Sequence, residues 1–209
     1  MIIAIDGSAA SGKGTLAKRL ATHLGLSHLD TGALYRAVGL QLLNAGQNPK
    51  NINANQCVRS CVELDIALTT SPLIRSEKVA EMASVVAEMP AVRAALLDRQ
   101  RQFAATPPDP KGAILDGRDI GTVVLPHADF KFFIDADINT RAERRTKELL
   151  QAGQSVMFRD VLTDMQERDS RDRFRSAAPL RPANDAISID TSSMDADDVL
   201  AMALSHITL

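Results

Sequence analysis

Gly7-Ser8-Ala9-Ala10-Ser11-Gly12-Lys13-Gly14-Thr15 reads as a glycine, four residues and then Gly-Lys. It lies between an apolar run suited to a strand and a stretch suited to a helix, the context a phosphate-binding loop requires. Glycines and small residues let successive backbone N–H groups turn inward around an anion. The helix N-terminus adds partial positive charge, and Lys13 can reach the β and γ phosphates of a nucleoside triphosphate. A Gly-rich turn with no ligand accounts for one or two glycines, but not for a lysine at the helix start. Because Gly14 follows the lysine, the hydroxyl arrives one place late, at Thr15. Thr15 is the candidate metal contact, with Mg²⁺ held largely by ATP phosphates and water.

Three further groups carry charge or hydroxyls at suggestive spacing. Asp30-Thr31-Gly32 follows an apolar run and opens a helix with Tyr35 and Arg36. A hydroxyl, a helix N-terminus and a guanidinium could converge there on a second phosphate; equally, Asp30 or Thr31 could cap the helix and Arg36 be solvated. Asp116-Gly117-Arg118-Asp119 sits at the carboxyl end of a strand candidate, the edge where open α/β sheets bind ligands. Arg168, Arg171, Asp172 and Arg175 are spaced i, i+3, i+4 and i+7, so a helix puts them on one face. Three cations around one acid make either a local anion site or a solvated salt-bridge ladder. Asp169 and Arg173 are expected to turn away as an i, i+4 pair.

Positioning these residues takes an α/β chain. Apolar runs at Ile2–Ile5, Leu26–Leu29, Ala113–Leu115, Lys131–Ile134 and Ala186–Ile189 alternate with helical stretches from about Gly12, Ala33, Asn139 and Asp195. Five strands separated by helices imply a mostly parallel sheet covered on both faces. The segment from about Tyr35 to Phe103 is mainly helical and reads as an insertion, with Pro90 at a helix junction and Thr106–Gly112 as a connector back to the core.

The 209 residues are 45% hydrophobic with a formal net charge of −2, enough for one domain and too balanced for bulk binding to nucleic acid or a membrane surface. The first residues lack a secretory signal's pattern and no apolar run approaches a membrane span, so a cytoplasmic location is expected. Cys57 and Cys61, four apart in a helical stretch, read as buried thiols; no histidine is near enough in sequence to complete a metal site with them.

Gly12-Lys13-Gly14-Thr15 resembles the nucleoside monophosphate kinases. Four downstream segments resemble the bacterial cytidylate kinases: Leu29–Arg36; Ala83-Ser84 with Pro90–Gln102; Asp116–Val124; and Arg168–Arg173 with Ala178-Pro179-Leu180. The resemblance is close to chain-length. It implies a P-loop nucleoside monophosphate kinase fold with a five-stranded parallel sheet flanked by helices. The core would span about 1–34, 104–145 and 160–209, the monophosphate-binding insertion about 35–103 and a lid about 146–159. It implies an ATP-dependent phosphotransferase that moves the γ-phosphoryl group to CMP, and to dCMP, acting as a monomer without protein partners.

On that resemblance Lys13, Arg118 and Arg171 serve the transferring phosphoryl, and Thr31 and Arg36 the acceptor phosphate. Asp119, Ser84, Arg93 and Arg175 would form the base pocket, and Arg168 and Asp172 would meet the ribose; Arg141, Arg144, Arg145 and Arg159 are lid-side candidates for phosphate. The base edge supplies a physical reason. Cytosine presents an amino donor at N4 beside acceptors at N3 and O2, which suits a carboxylate beside guanidinium and hydroxyl donors. Uracil inverts positions 3 and 4 and would leave buried groups unpaired at about 1–3 kcal/mol each, so UMP is expected to be a poor acceptor. For Asp119 the other reading is an ion pair with Arg118 or another arginine. The rival functions are a kinase for another nucleotide or for a metabolite such as shikimate, and a nucleotide-sensing switch, which lacks a guanine-reading Asn-Lys-x-Asp run here. One departure from the resemblance stands out: residues 69–74 are short where many cytidylate kinases carry a β-rich segment.

Overall fold

The computed structural model describes residues 1–208. Five strands, β1 (Ile2–Gly7), β2 (Ser27–Asp30), β3 (Ala113–Gly117), β4 (Phe130–Asp135) and β5 (Ile187–Asp190), form one parallel sheet in the order β2-β3-β1-β4-β5. All five expected strands are present, each within one or two residues of its apolar run. The differences fall at the strand ends, where polar residues such as Asp30, Asp116 and Asp190 continue the ladder and give no hydrophobic signal.

Alternation along β1 sorts its side chains to two faces. Ile3 and Ile5 enter a core with Leu16 and Leu20 of α1 (Lys13–Leu24) and Val199 and Ala203 of α8 (Ala196–Ser205). Ala4 faces the opposite layer with Leu115, Ile120 and Val124. Left-handed glycines bound α1, Gly12 at φ 91 before it and Gly25 at φ 67 after it, conformations that cost a residue with a Cβ. A capping box of Asp195 and Asp198 starts α8.

Between β2 and β3 the chain is helical throughout: α2 (Thr31–Asn44), α3 (Ala54–Val62), α4 (Glu77–Val86) and α5 (Pro90–Ala105), with short three-ten turns over residues 49–51, 66–70 and 72–75. This region has its own core of Leu34, Val38, Leu42, Met82, Val86, Val92 and Leu96, which also takes in the free, buried Cys57 and Cys61. After β4, α6 (Ile138–Gln151) and α7 (Phe158–Phe174) pack through Ala142, Leu149, Val161 and Met165, with Ala9 and Ala10 of the phosphate loop against the same cluster. Among the described residues no helix is long and apolar enough to cross a membrane.

One expectation fails here. Asp169 and Arg173 do not pair: buried Asp169 accepts from Arg141 of α6 at 2.7 Å, and Arg173 reaches Asp135 at 3.3 Å. Spacing within α7 cannot reveal partners that β4 and α6 bring closer.

Candidate active site

The phosphate loop leaves the carboxyl end of β1, the central strand. A Cβ on Gly7 would overlap the Ile134 carbonyl of β4, so only glycine lets the loop start beside that strand. Ala10, at φ 56, and Gly12 put left-handed residues into the turn, the alternation that aims backbone amides inward. Lys13 is the first residue of α1 and its ammonium donates to the Ser8 carbonyl at 3.0 Å. Ser8 in turn donates to Asp135. Thr15 is exposed on α1 and does not line the cleft beside the loop, whereas Asp116 does: its Oδ2 lies 3.7 Å from where a Cβ on Gly14 would stand, and its Oδ1 meets His28 Nε2 at 2.7 Å.

That cleft is a cavity of about 500 Å³ whose wall includes Lys13, Arg36, Arg118, Arg145, Arg168 and Arg171, with Asp30 and Asp116 between them. The arginine face expected on α7 thus opens into a cleft rather than onto a solvated ladder, although Arg175 stands just past the helix end as its C-cap. Arg36 is half-buried and donates to the Ile74 carbonyl at 2.8 Å, so it is not solvated; Asp30 does cap α2 by accepting from the Ala33 amide. Thr31 behaves otherwise than expected. It is buried and its hydroxyl donates to the Asp116 carbonyl at 2.8 Å, bracing the start of α2 against β3 instead of lining the cavity.

The lid-side arginines divide by role. Arg141 is buried and ties Ala136, Ala9 and Asp169 together. Arg144 holds the Thr191 hydroxyl and carbonyl. Arg159 is exposed. Arg145 alone of the four lines the cavity, where it pairs with Glu77 and Glu148.

Beyond Arg118, a buried cluster outside the cavity lining holds Asp119, which pairs with Arg93 and lies 3.8 Å from Arg175, not with Arg118, which instead donates to Asp172 at 2.8 Å. Arg175 also lies 3.8 Å from Asp172, and the Arg93 guanidinium stands 5.7 Å over the Tyr35 ring. Ser84, Asp119 and Asp172 are each 5% exposed. Ser84 Oγ, Arg168 Nε, Arg171 Nε and Arg175 Nη2 are buried with no hydrogen-bond partner in the protein. Of these residues Arg168 and Arg171 line the cavity, and buried donors left over there mark a place built for acceptors from elsewhere.

The electrostatics agree. Burial, with Arg118 beside it, lowers Lys13 to about 7 against the opposing pull of Asp116 and Asp30. Burial, Arg118 and Arg36 lower Arg168 to about 9. Burial works against the Asp172 carboxylate, but Arg118 and Arg168 outweigh it and hold its pKa below the ordinary value. Lys13, Arg36 and Arg168, each made by burial and neighbouring cations to hold its proton less firmly, form a site that an anion would relax. Asp116 and Tyr35 belong to this constellation although the sequence named them only as members of their runs, without a role; the strand-end position of Asp116 and the helix-start position of Tyr35 are what could have flagged them.

A family profile described as "Cytidylate kinase" matches residues 3–209. Curated proteins called cytidylate kinase are similar over almost the whole chain. That of Paramagnetospirillum magneticum is 55% identical across 99% of this chain and 97% of its own, and that of Rhodospirillum rubrum 51% identical across 98% and 95%. A crystal structure of an uncharacterized protein from Eubacterium ventriosum matches with a TM-score of 0.55 at 17% identity, covering 99% of this chain and 98% of that one, a likeness of fold alone. With the phosphate loop, the cationic cleft and these similarities in agreement, the chain belongs to the cytidylate kinase family.

Proposed function

We propose that the protein transfers the γ-phosphoryl group of ATP to CMP, and to dCMP as a second acceptor, giving ADP and the nucleoside diphosphate. The observation that carries this reading is the cleft joining Lys13, at the donor loop, to Arg36, Arg118, Arg168 and Arg171, with Arg118 linked through Asp172 and Arg175 to the buried carboxylate of Asp119. In it the ATP phosphates lie in the loop Gly7–Thr15, with Lys13 on the β and γ phosphates. The CMP phosphate lies against Arg36, Arg118 and the start of α2. Asp119, Ser84, Arg93 and Arg175 meet the cytosine, and Arg168 and Asp172 the sugar. An oxygen of the CMP phosphate forms a bond to the γ phosphorus as the bridge to the β phosphate breaks, and that bridging oxygen leaves on ADP. Lys13, Arg118 and Arg171 hold the charge that spreads over the equatorial oxygens, so the protein supplies position and cations rather than a nucleophile.

The donor implies Mg²⁺. The described residues contain no group of three or more His, Cys, Asp or Glu able to cage a metal, but Asp116 faces the loop at Gly14, which suits an ion kept mainly by phosphates and water with one carboxylate near. Asp116 would be the nearer residue to hold the ion and Thr15, exposed on α1, the more distant oxygen ligand, and the ion would supply charge neutralisation to the ATP phosphates. In the same reading residues about 35–103 close over CMP and about 146–159 over ATP, around a core of about 1–34, 104–145 and 160–209. On that reading the protein acts as a cytoplasmic monomer without nucleic-acid or membrane partners, the cleft being lined by residues of one chain.

The test is ADP release from MgATP with CMP, dCMP, UMP, AMP, GMP or shikimate. CMP and dCMP should lead; equal use of CMP and UMP would overturn the base assignment. Asp119→Ala should lower kcat/KM for CMP by about 10²-fold or more, the cost of orphaned base contacts, while leaving MgATP binding within a few-fold. Equal loss of both would make Asp119 structural.

A further inference from the structure

Asp6 ends the apolar run of β1, one residue before the phosphate loop, yet its side chain does not face the phosphates. It is 3% exposed, and both carboxylate oxygens reach toward the acceptor half of the site. Oδ1 accepts from the Ile120 amide at 2.7 Å and Oδ2 from the Gly121 amide at 2.8 Å. These are the first two amides of a π-helical turn, Ile120–Val124, whose preceding residue is Asp119. The opening amides of any helical turn lack partners within it, and the Asp119 side chain does not cap this one, leaving its carboxylate to Arg93 and Arg175. The Asp119 carbonyl accepts from the Val123 and Val124 amides. The turn and Asp119 are therefore one hydrogen-bonded piece, gripped at its start by Asp6.

A buried acid is an expensive way to hold two amides. Burial raises the Asp6 pKa to about 7 against the pull of its two amide bonds, and the nearby Asp119 charge raises it further. A neutral acceptor would serve a purely structural turn at less cost.

We propose that Asp6 is a positioning residue for acceptor-base selection: it fixes the Ile120–Gly121 amides so that Asp119 stays aligned with the cytosine edge. The inference rests on the reading of Asp119 as the base-facing carboxylate. Because Gly7 follows directly, the strand end that launches the donor loop also sets the acceptor base, so one short segment aligns both nucleotides.

Asp6→Asn tests it. The amide keeps the shape and one acceptor, but its NH₂ group meets the second backbone N–H donor to donor. We expect KM for CMP to rise and the CMP-to-UMP ratio of kcat/KM to fall, each by about tenfold or more, while KM for MgATP stays within about twofold. Val124→Ala, which trims the turn's apolar packing without touching the carboxylate, should lower Tm and leave the ratio unchanged. An Asp6→Asn enzyme that keeps its CMP-to-UMP ratio, or that loses MgATP and CMP equally, overturns the proposal.

Asp119→Asn in the same assay separates the two ideas. If its ratio collapses while that of Asp6→Asn persists, only the positioning role falls; if both ratios persist, the base reading falls and takes the positioning role with it. Should Asp6→Asn not fold, Asp6→Glu decides: it keeps both acceptor oxygens but carries them one methylene further, displacing the grip on the Ile120 and Gly121 amides. A lowered CMP-to-UMP ratio supports the proposal and an unchanged one overturns it.

Discussion

Lys13 stands where burial and the neighbouring Arg118 act together, and its pKa falls to about 7 in the free protein. Phosphate at the loop favours the ammonium and returns the pKa toward the ordinary lysine range. Below pH 7 the free protein already carries the proton, so MgATP affinity should be flat there. Above it the proton must be taken up on binding, and affinity should fall by up to about tenfold per pH unit. Calorimetric titrations with MgATP from pH 6 to 9, in buffers of different ionisation enthalpy, measure both; affinity independent of pH and no proton uptake at pH 8 would refute it. This is also the scale at which the sequence said most. The Gly-Lys pair and the run from Asp116 to Asp119 are contiguous, so their chemistry is visible without a fold. Thr31 was misread because its hydroxyl's partner, the Asp116 carbonyl, is 85 residues away.

At the scale of elements, α7 carries two functions on neighbouring strips. Arg168 and Arg171 face the cleft, while Asp169, one step round, faces Arg141 of α6. A helix with charged residues on two neighbouring strips looks from sequence like one polar surface, and only packing against α6 separates them. Arg141 also reaches the Ala9 carbonyl at 3.3 Å, which ties the phosphate loop to the base of the lid region. Removing one partner of such a buried pair leaves the other unpaired. Arg141→Ala should therefore destabilise by about 3–5 kcal/mol, whereas the apolar double variant Arg141→Met with Asp169→Leu should recover most of that loss. Urea unfolding of the two single variants and the double gives the coupling directly, and additive losses would show that the pair is not a unit. The three-ten turns over residues 66–75 were less legible for a related reason: where the sequence is short of the β-rich segment many cytidylate kinases carry, they form a connector whose Ile74 packs on Ala33, Leu40 and Val79, a contact with no periodic signature.

Across the whole molecule, the cleft is lined from three parts of the chain, although α5 also packs on the core layer through Leu97, Phe103 and Ala104. The sheet core supplies Lys13, Asp116 and Arg118, the helical insertion supplies Arg36 and Glu77, and α6 and α7 supply Arg145, Arg168 and Arg171. Arg145 already spans two of them, donating to Glu77 of α4 and to the Arg75 carbonyl at 3.1 Å, but its partners are half-exposed and such surface pairs contribute about 0–1 kcal/mol. On the proposed function, closure would come from the nucleotides, each bridging the core to one of the other two parts. At 100 times its Kd a ligand adds about 2.7 kcal/mol, which for a chain of this size raises Tm by about 5–10 °C. CMP should reach that shift at concentrations where UMP gives almost none, because the two share every phosphate and sugar contact and differ only at the edge facing Asp119. Hydrogen exchange should show where the energy goes: with CMP alone protection should rise in α2 and α4 and at 120–124, and adding a non-hydrolysable ATP analogue should extend it to the loop at 152–157 and the adjoining ends of α6 and α7. Protection confined to the phosphate loop under both conditions would mean that the three parts do not close on the substrates, and the division into core, insertion and lid would then have no functional content.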